Sequence, residues 1–149
     1  MGNHAKILVV DDDVNIRKSL EAILSAEGYD VDLAADGKEA IRKTESTTYN
    51  VALIDIRLPD MDGVELLTRM RDTVPKMRKI IITGYPSVQN AIEAVNRKAD
   101  AYLVKPVDVA KLLLTIETHL ELQKMEREYS EEKVVEFIAE RVREISAHQ

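Results

Sequence analysis

Several things that this chain of 149 residues lacks restrict its function. It has no Cys, which excludes disulfides, thiol catalysis and thiolate metal sites and is compatible with an intracellular location. No apolar run is long enough to cross a bilayer, so we expect a cytoplasmic protein without membrane insertion. An excess of positive charge is also missing: 27 acidic residues outnumber 21 Lys and Arg, and the formal net charge of −6 argues against general nucleic-acid binding. These absences leave a soluble domain with at most one appended element.

Four apolar, strand-like runs each end in residues suited to phosphate or metal. The runs cover 7–10, 51–54, 80–82 and 101–104, and they lead into Asp11-Asp12-Asp13, Asp55, Thr83 and Lys105-Pro106. In an open parallel sheet, the carboxyl ends of the strands line one crevice, where such folds bind ligands. The sequence therefore predicts one site that combines carboxylates, a hydroxyl and an ammonium group.

Helical periodicity alternates with the strand-like runs, a pattern typical of a parallel sheet covered by helices. It predicts helices from about Val14 to Glu27, after Asp36-Gly37, after Gly63, around 88–95 and from about Val107 onward. A further strand containing Tyr29, Val31 and Leu33 alternates apolar with polar residues, as a half-exposed edge strand does. We therefore predict a doubly wound α/β fold with a five-stranded parallel sheet in the order 2-1-3-4-5.

That order makes the first and third strands neighbours, so Asp11, Asp12 and Asp55 would face one another. Crowded carboxylates raise one another's pKa unless a cation lies between them, and a hard-oxygen set of this kind fits Mg²⁺. Lys105 can pair with a dianion that the carboxylates alone would repel. Asp13 either belongs to this group or only caps the first helix.

With these motifs the chain resembles the receiver domain of two-component response regulators, of the stand-alone type similar to chemotaxis regulators. The resemblance covers roughly residues 5 to 122 and rests on 7–12, Leu53-Ile54-Asp55, 58–63, Thr83-Gly84 and 102–106. It implies a flavodoxin-like fold and a cytoplasmic signalling phosphoprotein that is not an enzyme, although it assists its own phosphotransfer and dephosphorylation. A sensor histidine kinase would supply the phosphoryl group, and a partner protein would read the result.

The resemblance also assigns roles to individual residues. Asp55 would be the phosphoacceptor, and Asp11, Asp12, Asp55 and the backbone carbonyl of Arg57 would hold Mg²⁺. Thr83 and Lys105 would contact phosphoryl oxygens, and Tyr102 would turn inward as Thr83 moves. The conformational change would be read on a face built from helix four, strand five and helix five. The Lys105-Pro106 peptide is expected to be cis.

Two residues lie close enough along the chain to modulate this site. Arg57 follows Asp55 by two positions and Tyr85 follows Thr83 by two, so both side chains can reach over the phosphorylated carboxylate. Bulk there would hinder the attacking water and slow dephosphorylation.

Two other functions compete with this interpretation. Asp11-Asp12-Asp13 could belong to a phosphatase similar to the haloacid dehalogenases, but Asn15 stands where that pattern has Thr or Val. A pseudo-receiver that only docks a partner is the other alternative, and the complete set of Asp12, Asp55, Thr83 and Lys105 argues against it.

Beyond the receiver (5–122), residues 123–149 are predicted to form a C-terminal amphipathic helical extension with no DNA-binding output domain. Residues 119–149 hold eight Glu against five basic residues, a net charge of −3, and so make a poor nucleic-acid reader. Val135, Ile138, Val142 and Ile145 follow 3-4-3 spacing. Because that stripe does not extend back into helix five, we predict a new helix starting at Ser130. Its apolar side would pack on the receiver, on a second copy in a homodimer, or on a partner protein.

Overall fold

Strands and helices alternate five times in the computed structural model, which describes residues 4–73 and 75–147. The strands are β1 (Lys6–Val10), β2 (Asp30–Ala34), β3 (Val51–Asp55), β4 (Arg78–Thr83) and β5 (Ala101–Val104). The helices are α1 (Val14–Ala26), α2 (Gly37–Ser46), α3 (Gly63–Arg69), α4 (Val88–Asn96) and α5 (Val109–Ala147). Each predicted strand and helix of the receiver is present. None of the described helices combines the length and apolarity needed to cross a bilayer.

The five strands form one parallel sheet in the order β2-β1-β3-β4-β5, which confirms the predicted order. Apolar residues cover both faces of this sheet. One buried cluster includes Leu8, Ile54 and Ile81, and the other includes Val9, Leu53 and Ile80. Since successive strand residues point to opposite faces, these continuous apolar runs supply both cores at once. The polar residues that end the strands are thereby held at one edge.

Side chains that precede the helices fix where those helices begin. Asp13, Asp36, Asp62 and Ser87 each accept a hydrogen bond from a backbone N–H of the first turn. Such caps satisfy amide groups that have no partner within the helix. Gly28, just beyond α1, has φ of 91°, a left-handed conformation that commonly ends a helix.

The C-terminal extension differs from the prediction in one respect. α5 is a single helix of 39 residues from Val109 to Ala147, about 60 Å long, so the predicted new start at Ser130 is wrong. The segment from 107 to 147 contains neither Gly nor Pro and is rich in Glu, Lys, Leu and Arg, which favour helix. The backbone hydrogen bonds of a helix do not depend on which of its faces is apolar. The helix therefore continues past Ser130 although its apolar face changes there.

A buried glutamine fastens α5 to the amino-terminal edge of the sheet. Gln123 is 4% exposed, and its Nε2 donates to the carbonyls of Asn50 (3.0 Å) and Lys76 (2.8 Å). Its Oε1 accepts from Asn50 Nδ2 at 2.9 Å. One turn later, Glu126 pairs with Arg78 at 2.6 Å. From Lys124 to Ala147 every residue except the half-buried Ala139 is exposed, so the helix projects beyond this anchor.

Candidate functional site

Three carboxylates meet at the carboxyl ends of β1 and β3. Asp11 and Asp12 follow β1, Asp55 ends β3, and one oxygen from each lies within 4.8 Å of the others. The pairing of β1 with β3 produces this proximity, because Val10 lies opposite Ile54. Asp11 and Asp55 are 3% and 7% exposed, whereas Asp12 is open to solvent. Two buried acids and one accessible acid therefore face a common point.

Lys105 enters the same point from the end of β5. Its Nζ lies 2.8 Å from Asp11 Oδ2 and 2.9 Å from Asp55 Oδ2. Burial raises the pKa of Asp11, although the hydrogen bond from Lys105 acts in the opposite direction. Burial alone would lower the pKa of Lys105, but the hydrogen bonds to Asp11 and Asp55 raise it above its usual value. The ammonium group therefore stays charged between two acids.

Thr83 ends β4 beside this cluster and is fully buried. Its carbonyl accepts from the N–H of Lys105 at 2.8 Å, and its hydroxyl oxygen accepts from the N–H of Tyr85 at 2.9 Å. A Cβ added at the exposed Gly84 would come within 3.8 Å of the Lys105 side chain. Thr83, Gly84 and Lys105 therefore form one contiguous wall of the crevice. The Lys105-Pro106 peptide is cis, as the resemblance predicted.

Arg57 and Tyr85 lie against each other at the rim of the crevice. The Arg57 guanidinium carbon is 3.7 Å from the centre of the Tyr85 ring, a close cation–π contact. The N–H of Arg57 donates to Asp55 Oδ1 at 3.1 Å, which ties this loop to the central carboxylate. Sequence reasoning placed both residues near Asp55 but did not foresee that they contact each other.

Tyr102 lies on β5 opposite Ile81 of β4. It is half-buried and packs against the apolar cluster on the α2–α4 side of the sheet. Its hydroxyl oxygen is buried and has no hydrogen-bond partner among the described residues. The ring is therefore turned inward, with its polar end unpaired.

Three further residues lie beside the site. Asp13 caps α1, since its carboxylate accepts from the N–H groups of Asn15 and Ile16, and it is not among the clustered acids. Arg17 and Asp60 were missed by sequence reasoning. Arg17 donates to the Asp11 carbonyl at 2.7 Å, and the Asp60 carboxylate accepts from the first N–H groups of α2. The Asp60 contacts join segments more than 20 residues apart, which only the fold brings together. The Arg17 contact spans six residues, but it depends on how the chain turns between β1 and α1.

The donor set fits a hard divalent cation. Asp11, Asp12 and Asp55 offer carboxylate oxygens only, the ligand type that Mg²⁺ prefers, and Asp12 faces solvent, where bound waters can remain. The backbone carbonyl of Arg57 stays a predicted fourth ligand.

A parallel sheet in this order, with acids directly after β1 and at the end of β3 and a lysine after β5, is the arrangement of a receiver domain. The chain matches the response regulator receiver domain family over residues 7–117 and belongs to that family.

Among curated relatives, the transcriptional regulatory protein ZraR of Klebsiella oxytoca is 41% identical over 115 residues, which are 77% of this chain and 26% of ZraR. The response regulator ArlR of Staphylococcus saprophyticus is 38% identical over 120 residues, 79% of this chain and 53% of ArlR. The chain thus spans about a quarter to a half of the length of these relatives. A CheY-like receiver domain protein of Methanospirillum hungatei JF-1 superposes with a TM-score of 0.79 at 44% identity, covering 83% of this chain and 99% of that one.

Proposed function

We propose that Asp55 accepts a phosphoryl group from the phosphohistidine of a sensor histidine kinase in a reaction that needs Mg²⁺. The observation that carries this proposal is the position of the Asp55 carboxylate. It is buried, 2.9 Å from the Lys105 ammonium group, and within 4.8 Å of the oxygens of Asp11 and Asp12. A carboxylate is a competent nucleophile for phosphorus, and phosphoryl transfer requires mainly positioning and neutralisation of charge.

In the transfer, an Asp55 oxygen bonds to phosphorus while the phosphorus–nitrogen bond of the donor breaks. The electron pair of that bond stays on the imidazole, which takes up a proton. When bound, Mg²⁺ neutralises the phosphoryl oxygens. Asp11, Asp12 and Asp55 would hold it, together with the carbonyl of Arg57. Lys105 donates to Asp55 in this structure and pairs with a phosphoryl oxygen after transfer.

Thr83 and Tyr102 transmit the conformational change caused by phosphorylation to the protein surface. The Thr83 hydroxyl now accepts from Tyr85 N–H, and it gains a phosphoryl oxygen as a partner only after transfer, so the loop of residues 83–85 moves. The ring of Tyr102 already lies inward, so Tyr102 responds to that movement without turning in from solvent. The face that carries the signal consists of α4, β5 and the start of α5, where Val88, Ile92 and Val95 are 78%, 55% and 71% exposed. Several exposed apolar side chains on one face are typical of a surface that binds another protein, so we expect the target to be a protein.

Arg57 and Tyr85 control how long the phosphoryl group persists. Stacked on each other beside Asp55, they cover one approach to the phosphorus atom, so attack by water is slow. A protein that accepts a phosphoryl group and limits its loss in this way is a signalling phosphoacceptor, not an enzyme that turns over an external substrate.

We further propose that residues 5–122 form the receiver unit and residues 123–149 an extension, in a cytoplasmic protein. "Transcriptional regulatory protein" describes ZraR, of which this chain matches 26%. The acidic balance of residues 119–149 supports a protein target for this chain, not a nucleic acid.

The test is phosphorylation by a small-molecule phosphodonor, with and without Mg²⁺, followed by intact mass. We expect one phosphoryl group on the wild type with Mg²⁺ and none after chelation. Asp55→Asn loses it. Asp13→Asn serves as the matched control, since Asn still caps α1 and Asp13 lies outside the cluster, and it retains the modification. Modification of Asp55→Asn at the wild-type rate would show that the nucleophile is a different residue.

A further inference from the structure

A cavity at the amino-terminal edge of the sheet concentrates positive charge in a chain whose net charge is −6. This cavity, called here the basic pocket, has a volume of about 500 Å³ and lies between the ends of α3 and α4 and the start of β4. Its charged lining residues are four bases and one acid, namely Lys76, Lys79, Arg97, Lys98 and Asp72. Within residues 4–73 and 75–147, none of the four bases forms an ion pair. The positive charge of the pocket is therefore not held in direct contacts with carboxylates.

Lys79 is the buried member of this set. It is 5% exposed, and its Nζ donates to the carbonyl of Leu67, in the last turn of α3, at 2.7 Å. An ammonium group has three N–H donors, and the other two have no partner among the described residues. Burial lowers the pKa of Lys79, and Lys76 and Lys98 act in the same direction, whereas Asp72 opposes them. A buried cation with unpaired donors is unfavourable unless an acceptor reaches it, and the basic pocket is where such an acceptor can enter.

The ends of two helices account for only part of the charge in the basic pocket. α3 and α4 both end beside it, and the C-terminus of a helix carries the equivalent of about half a negative charge. Asp100, another acid near Lys79, is already paired with Arg78 at 3.0 Å. Two helix ends and Asp72 thus set about two negative charges against the four bases. About two positive charges remain for a ligand, which matches a phosphate monoester at neutral pH.

The uncharged lining residues restrict the rest of the ligand. Thr68 offers a hydroxyl group and Asn96 an amide, and both can exchange hydrogen bonds with the hydroxyl groups of a sugar or polyol. No aromatic ring is present among the described residues that line the pocket, so a nucleobase would have no surface on which to stack. The volume lies within the range of small-molecule sites. These walls suit a small, polar, phosphorylated molecule.

We propose that the basic pocket binds a small phosphate monoester whose remaining part carries hydroxyl groups, such as a sugar phosphate. Lys79 donates to a phosphate oxygen while keeping its bond to the Leu67 carbonyl, and the three exposed bases balance the remaining charge. Lys79 lies at the start of β4, and Thr83 ends that strand about 13 Å away. The pocket is therefore separate from the phosphorylation crevice, and this inference does not depend on phosphorylation of Asp55.

Titration of the full chain with glycerol 2-phosphate at pH 7.5, followed by amide ¹⁵N–¹H NMR spectra, tests binding. Mg²⁺ is left out, so that the carboxylates of the phosphorylation crevice repel the anion. We expect a dissociation constant of about 0.1–5 mM, with the largest shifts in residues 67–69, 76–79 and 96–100. Shifts confined to residues 83–85, or none up to about 50 mM, would overturn the proposal. Inorganic phosphate has no carbon-bound hydroxyl groups and is expected to bind about threefold more weakly; equal affinity would refute the assignment to a monoester.

Variants of single lysines test which charges hold the ligand. Lys79→Met keeps the length of the side chain and is expected to weaken binding about tenfold. Lys98→Asn removes an exposed charge at φ of 67°, a conformation that Asn tolerates, and is expected to weaken binding about threefold. This second variant remains decisive if Lys79→Met lowers stability. Lys18→Met, at an exposed position of α1, is the matched control and is expected to bind like the wild type. Unchanged affinity in Lys98→Asn, or an equal loss in Lys18→Met, would overturn the proposal.

Discussion

Replacing Gln123 with Glu would test how the long helix is fastened to the sheet. The side chain keeps its size, but the Nε2 group that donates to the carbonyls of Asn50 and Lys76 becomes an oxygen. The buried carbonyl oxygens of Asn50 and Lys76 then face a carboxylate oxygen that cannot donate a hydrogen bond to them. Each buried acceptor without a partner costs about 1–3 kcal/mol. The site borders an open pocket lined by Asn50 and Gln123, so access of water would moderate the loss. We expect the free energy of unfolding to fall by about 3 kcal/mol at neutral pH.

Urea unfolding followed by far-UV circular dichroism measures this loss. Gln89→Glu is the matched control, because it makes the same chemical change at an exposed position of α4 and is expected to shift stability by less than about 0.5 kcal/mol. Protonation of the new carboxyl restores one donor. Burial raises the pKa of such a group. The loss in free energy of unfolding caused by Gln123→Glu therefore becomes smaller as pH falls toward 5. A loss below about 1 kcal/mol, or one that does not depend on pH, would refute this account of the anchor.

Three further predictions follow from single contacts. Asp13→Ala removes the cap of α1 and is expected to lower the free energy of unfolding by about 1 kcal/mol while phosphate uptake is unchanged; unaltered urea unfolding would contradict the cap. Tyr85→Ala removes the ring beneath Arg57 and is expected to speed loss of phosphate several-fold; equal decay rates would remove the shielding argument. Burial and the nearby Arg78 lower the pKa of His119, so stability falls as pH drops below the unfolded value of about 6.5. Thermal unfolding at pH 7.5 and 5.5 is expected to show a smaller drop for His119→Gln, and equal drops would count against this role.

The arrangement of the sheet could be predicted from the sequence because both of its determinants are local. Continuous apolar runs such as 51–54 identify strands buried on both faces, and the alternating run around Val31 identifies an edge strand. The strand order then brings Asp11, Asp55 and Lys105 together, since each directly follows or ends a strand. Their proximity is confirmed in the structure.

The parts that were missed depend on contacts between distant segments. Gln123 lies 73 residues from Asn50, and its burial leaves no trace in the periodicity of α5. Lys79 is buried with its ammonium group on the Leu67 carbonyl, although a lysine at the start of a strand gives no such signal. The predicted break at Ser130 was wrong because a change of apolar face was interpreted as a change of element, whereas the absence of Gly and Pro decides that the helix continues.

Asp55 is proposed to carry the phosphoryl group, and the most direct test is to locate the modified residue in the chain. After modification in the presence of Mg²⁺, borohydride reduction converts an aspartyl phosphate to homoserine, and peptide mass spectrometry then locates the converted residue. We predict homoserine at position 55 in the wild type and at no other Asp. Conversion at Asp11, Asp12 or Asp13 with Asp55 intact would contradict the assignment.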